Sequence, residues 1–157
     1  MDRTVLDLDA ITPADLPRVG GKAAGLAALA RVDGARVPPG FVVTTDAFRD
    51  VGPPDAPLPD DLVHAISAAL ARLGDDAPVA VRSSATAEDL PGTSFAGQHD
   101  SFLGVVGRDA VLDAIRRVRA SLYSDRARAY RDRHLIPDDA VAMAVVVQRM
   151  VPARAAG

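Results

Sequence analysis

Cysteine is absent from this sequence, which removes disulfides, thiolate metal sites and thiol catalysis at once. No apolar run approaches the roughly 20 residues that a bilayer-spanning helix needs. The stretch from Met1 to Asp15 has no apolar segment flanked by basic residues, so it does not read as a secretory leader. Net positive charge is missing as well: the formal charge is −3, which leaves no electrostatic footprint for nucleic acid. Together these absences predict a soluble, cytoplasmic protein that engages neither membranes nor nucleic acid. Lysine is nearly absent. Of 18 basic residues only Lys22 is a lysine, and the rest are arginines. Where arginine fills the ordinary surface positions, a lone lysine becomes a candidate for a place that needs a compact ammonium.

What is present fits one domain, with 157 residues and 48% apolar side chains for its core. Val5 to Leu8 reads as a short strand and Thr12 to Val19 as a polar loop. Gly20-Gly21 then precede an Ala/Leu-rich helix that begins at Lys22. Phe41 to Thr45 is β-prone, and Thr45 or Asp46 is placed to cap a short helix through Val51. Asp60 to Leu73 is the cleanest helix, with Leu62, Ile66, Ala69, Leu70 and Leu73 on one stripe and Gly74 as its stop. Val79 to Val81 reads as a buried-type strand running into Arg82, and a long segment of small and polar residues follows to Gln98. Asp109 to Tyr130 carries one or two helices, and Val141 to Met150 is strongly β-prone. Strands and helices without a regular βαβ rhythm predict an α+β fold. The strand after Val141 has no partner strand following it in sequence, so the domain is expected to be incomplete at its C-terminus.

Three constellations are candidates for chemistry. Gly20-Gly21-Lys22 opens a helix, where a cation opposes the macrodipole unless an anion lies between the lysine and the free backbone amides. The spacing is not that of a Walker A loop, and the competing reading is a glycine turn before a solvated lysine. Arg82 stands at a strand end, where a guanidinium offers a bidentate donor pair to a phosphate. Hydroxyls and amides from Ser83 to Ser101 are further phosphate donors, and Gly97 permits close approach. Glu88 and Asp89 are the competing partners for Arg82. Gln148 shares a strand face with Ala142, Ala144, Val146 and Met150 by period-two counting. A base edge would satisfy its amide, whereas an edge-strand glutamine facing water is the alternative. His64, His99 and His134 do not cluster, so no metal site is predicted. Ser83, Ser84 and Ser94 have no identifiable base, so no catalytic residue is assigned. The arginine run from Arg116 to Arg133, interleaved with Asp113, Asp125 and Asp132, reads as a solvated helix face.

Several stretches together resemble the N-terminal ATP-binding domain of the phosphoenolpyruvate synthase, pyruvate phosphate dikinase and rifampin phosphotransferase superfamily. They are Val19-Gly-Gly-Lys-Ala-Ala-Gly-Leu, Val37-Pro-Pro-Gly-Phe-Val-Val-Thr-Thr, Val81-Arg-Ser-Ser-Ala-Thr-Ala-Glu-Asp-Leu-Pro, Ser94-Phe-Ala-Gly-Gln and Val146-Val-Gln-Arg-Met-Val, in family order. Ala120-Ser-Leu, Asp125-Arg-Ala and Tyr130-Arg add to the series, and the similarity runs from about Val5 to the last residue. The resemblance implies the first part of an ATP-grasp-like nucleotide-binding domain. On it, Lys22 and Arg82 contact phosphates, Gly97 and Ser101 belong to the phosphate-covering loop, and Gln148 lies near the adenine. His99 replaces a usual Gln and Ser101 a usual Thr, which keeps the hydroxyl. The segment between the Val37 strand and Arg82 is shorter than in long members.

The family's second ATP-binding lobe, with its acidic Mg²⁺ ligands, and its phosphohistidine domain are expected outside this chain, in cis or in trans. The implied function is the ATP-binding portion of a phosphoenolpyruvate synthase-like phosphotransferase, which passes a phosphoryl group from ATP through a histidine to pyruvate. A rifampin phosphotransferase-type antibiotic kinase and a non-catalytic nucleotide-binding module of a split enzyme are the alternatives. The isolated polypeptide is expected to show negligible phosphotransfer.

Overall fold

Alternation of aliphatic residues along five short strands builds an antiparallel sheet, seen in a computed structural model. The structure describes residues 4–32, 34, 37–48, 51, 56–74, 76–85, 101–121 and 143–150. In chain order the elements are β1 (Val5–Asp7), α1 (Leu16–Ala30), β2 (Gly40–Val43), α2 (Thr45–Phe48), α3 (Asp60–Leu73), β3 (Val79–Ala85), β4 (Ser101–Val105), α4 (Arg108–Ser121) and β5 (Met143–Arg149). Two short 3-10 turns, Leu8–Ala10 and Pro13–Asp15, join β1 to α1. The strand order is β1-β2-β5-β3-β4, and all pairings are antiparallel. No helix among the described residues is long and apolar enough to cross a membrane.

The sheet has a different cover on each face. Phe41, Val43, Val79, Val81, Val145 and Val147 point to one side, where they pack with Leu62, Ile66 and Leu70 of α3 and Val111, Ile115 and Val118 of α4. Val42, Ala144 and Val146 point to the other side, under Val19, Ala23 and Ala27 of α1. The period-two exchange of faces along β2 and β5 produces this split. The α3 stripe read from sequence is buried throughout, and Gly74 at φ 107° ends the helix, its N–H donating to the Leu70 and Ala71 carbonyls.

Four expectations change. The segment 12–19 is not a plain loop: it holds a 3-10 turn and the first turn of α1, because the Asp15 carboxylate takes the Thr12 N–H at 2.9 Å and starts the helix early. The strand beginning at Val79 continues through Arg82 to Ala85, because β5 pairs with it along its whole length. β5 does not lack a partner. It lies at the centre of the sheet, between β2 and β3, because its neighbours come from earlier in the chain. Lastly, the arginine run is not uniformly solvated. Arg116 and Arg117 are exposed, but Arg119 is only 4% exposed, with its guanidinium 5.8 Å from the centroid of the Phe48 ring. Residues of that run beyond Ser121 lie outside the described residues.

Candidate functional site

β3 decides where Arg82 goes. Val79 and Val81 are buried toward α3 and α4, so the alternate residues Ala80, Arg82 and Ser84 face the α1 side. The register then sets a row across that face: Val42 opposite Val146, Val146 opposite Arg82, and Arg82 opposite Ser101. Gln148 falls in the next row, opposite Ala80 on one side and Gly40 on the other. It is a diagonal neighbour of Arg82, at about 7–8 Å by ordinary sheet spacing. Three of the sequence candidates, Arg82, Ser101 and Gln148, therefore share one face. Of the other two, Lys22 belongs to α1 and Gly97 lies outside the described residues, as do His99, Glu88 and Asp89.

Lys22 arrives on the same face from α1. The helix breaks at Gly20, whose φ of 79° and ψ of 169° are not helical. Such a φ is open to glycine and strained for most other residues. A Cβ at Gly20 would stand 2.3 Å from the Ser84 carbonyl oxygen and 2.5 Å from Ser84 Oγ, so only a bare Cα fits. Ser84, fully buried, donates its hydroxyl to the Val19 carbonyl at 2.5 Å and accepts the Ala23 N–H at 3.1 Å. Gly20 is two residues before Lys22, and Ser84 two after Arg82. Two residues of chain span at most about 7 Å, so both cationic positions flank one contact point, within reach of their long side chains.

The charges around this point are uneven. Arg18 is engaged by carboxylates, with its nitrogens 3.6 Å from Asp15 and 3.4 Å from Asp46. Lys22 and Arg82 are exposed, and no described residue forms an ion pair or hydrogen bond with either head group. The two exposed cationic positions thus flank the Gly20–Ser84 contact, and no carboxylate among the described residues pairs with either.

Gln148 is held rather than free. β5 is central, so the reading of an edge-strand glutamine does not apply, and the amide is half-buried with Nε2 donating to the Pro38 carbonyl at 3.2 Å. Its second N–H and its carbonyl oxygen have no hydrogen-bond partner among the described residues. Gly40 makes this possible: a Cβ there would lie 2.6 Å from the Val147 carbonyl oxygen and 2.9 Å from the Gln148 Cα. Met150 extends the same face toward β4, where its sulfur accepts the Gly104 N–H at 3.0 Å. Sequence reasoning missed Ser84, Gly40 and the Pro38 carbonyl. The available signals were a second serine after Arg82, a second glycine before Lys22 and a glycine closing a diproline turn. A cleft of about 730 Å³ lined by Thr4, Asp46, Pro59, Leu62 and His64 includes none of the four residues.

Comparison with known proteins matches these elements to one family. The family model described as pyruvate phosphate dikinase, AMP/ATP-binding domain, covers residues 16–52 and 54–157. Among similar proteins is a rifampicin phosphotransferase of Streptomyces sviceus, 46% identical over 99% of this chain and 22% of that relative. A phosphoenolpyruvate synthase of Deinococcus radiodurans is 42% identical over 87% of this chain and 22% of its own length. That of Aeropyrum pernix is 39% identical over 99% of this chain and 24% of its own length. The chain spans less than a quarter of the length of these curated relatives.

Proposed function

The chain belongs to the pyruvate phosphate dikinase AMP/ATP-binding domain family, and from that premise we propose that it binds ATP on the α1-side face of its sheet. Lys22 and Arg82 hold the phosphates; Ser101, which the structure places at the start of β4 opposite Arg82 instead of in a loop, offers its hydroxyl to them with Gly97 from the preceding segment, and Gln148 meets the adenine edge. The observation that carries this reading is the Gly20–Ser84 contact, which joins the two cationic segments. Their task is electrostatic: to fix a polyanion and its charge before transfer. Among the described residues no group of three or more His, Asp or Glu is gathered to hold a cation. The Mg²⁺ ligands are proposed to lie outside this chain, in the second lobe of the domain.

The chain serves as the first portion of a longer ATP-binding domain in a phosphotransferase. There the phosphoryl group passes from ATP to a histidine outside this chain and on to pyruvate, as in phosphoenolpyruvate synthases. A second reading, with a rifamycin as acceptor, is favoured by the higher identity to the Streptomyces sviceus enzyme, 46% against 42% and 39%. ATP-dependent consumption of pyruvate or of rifampicin by the assembled enzyme separates the two. The nucleotide site itself is tested by adding ATP to the protein and following backbone amide shifts. Movement is expected at Gly21, Lys22, Arg82, Ser101 and Gln148. Shifts confined to other parts of the chain would refute the assignment.

A further inference from the structure

We propose that Ser84 is a positioning residue of this nucleotide site, whose buried hydroxyl fixes Lys22 and Arg82 relative to one another. The inference rests on the ATP reading above and deepens it, because Ser84 has no exposed surface with which to touch a ligand. Val19 and Ala23 are i and i+4, the two groups that an unbroken helix joins directly. Here Ser84 Oγ bridges them, donating to one and accepting from the other. A hydroxyl is suited to this because it carries one donor and two acceptor lone pairs. The glycine on the other side of the contact leaves no space for a side chain. The helix break and the strand end are thus shaped to each other.

The break has a consequence for the site. Gly21 and Lys22 become the first residues of a new helical segment, whose leading amides lack intrahelical partners. Arg82 is two residues from Ser84 on the same face of the same strand. One hydroxyl therefore ties the start of the anion-facing helix segment to the strand that presents the guanidinium. Displacing either by about 1 Å would separate charges that must meet one triphosphate.

Ser84→Ala and Ser84→Thr test this by amide-detected titration of the protein with ATP and with adenosine, sheet amides reporting that each variant is folded. Ser84→Ala is expected to weaken ATP binding about tenfold, to lose the ATP-induced shifts at Gly21 and Lys22, and to bind adenosine as the wild type does. Ser84→Thr keeps the hydroxyl but adds a methyl to a fully buried contact, so a folded Ser84→Thr is expected to bind ATP more tightly than Ser84→Ala while falling short of wild type. A purely structural role would not separate the two ligands. Should Ser84→Ala not fold, Ser84→Cys, with its weaker donor and acceptor, takes its place with the same expected outcomes. A folded variant without the hydroxyl that keeps wild-type ATP affinity and shifts overturns the role of Ser84 alone. A wild-type protein whose spectrum ignores ATP overturns both this role and the ATP reading beneath it.

Discussion

Gly20 and Ser84 meet backbone to backbone with no room for one more carbon between them: a Cβ on Gly20 would fall 2.3 Å from the Ser84 carbonyl oxygen. This contact brings the Gly-Gly-Lys and Arg-Ser-Ser segments together, and it fixes the entry of α1 onto the sheet.

Gly20→Ala therefore combines a strained positive φ with overpacking against backbone that has nowhere to go. The expected loss of stability is at least about 2 kcal/mol, measured as a lower urea midpoint. An unchanged midpoint would mean that the helix break is not held in this conformation.

Gly40 and Gly25 make a contrasting pair. Gly40→Ala would push a methyl to 2.6 Å from the Val147 carbonyl oxygen, in the β2–β5 ladder, and is expected to cost about 1–3 kcal/mol. Gly25 lies in the exposed middle of α1, where a Cβ would meet nothing within 4 Å. Gly25→Ala should stabilise by about 0.5–1 kcal/mol through helix propensity and a less flexible unfolded chain. Thermal unfolding of both variants should move in opposite directions.

Arg119 and Arg116 are close in sequence and differ in environment. Arg119 is buried against the Phe48 ring, whereas Arg116 is exposed on the same helix. Arg119→Ala is expected to destabilise by about 1–3 kcal/mol through lost packing and cation–π attraction. Arg116→Ala should stay within about 0.5 kcal/mol of wild type. Denaturant titration of the two distinguishes a structural arginine from a solvated one.

Much of this fold was legible because it depends on local pattern. The stripe Leu62, Ile66, Ala69, Leu70 and Leu73 defines α3 by periodicity alone, and Gly74 supplies its stop. The α+β character follows from irregular alternation of short apolar runs and helices. Neighbour relations were not legible, since period-two counting tells which face Gln148 occupies but not that β5 sits between β2 and β3. For the same reason the glutamine's Pro38 partner was invisible. The early start of α1 was hidden by Pro17 and the paired glycines, which read as loop signals. The burial of Arg119 was masked by an arginine-rich run in which nothing local marks one member as different. Of the candidate site, Lys22, Arg82, Ser101 and Gln148 were found as residue types suited to a nucleotide. Ser84 reads in the sequence as one of several hydroxyls offered to phosphate, whereas it is buried against two backbone groups distant in sequence.

The central claim is that Lys22 and Arg82 act on the same polyanion, and affinity measurements with tripolyphosphate, ATP and adenosine on Lys22→Ala and Arg82→Ala test it most directly. Each substitution should weaken ATP and tripolyphosphate by about tenfold or more, the value of one charge-assisted hydrogen bond, and leave adenosine unaffected. Unaltered affinity for ATP and tripolyphosphate in both folded variants would contradict the account.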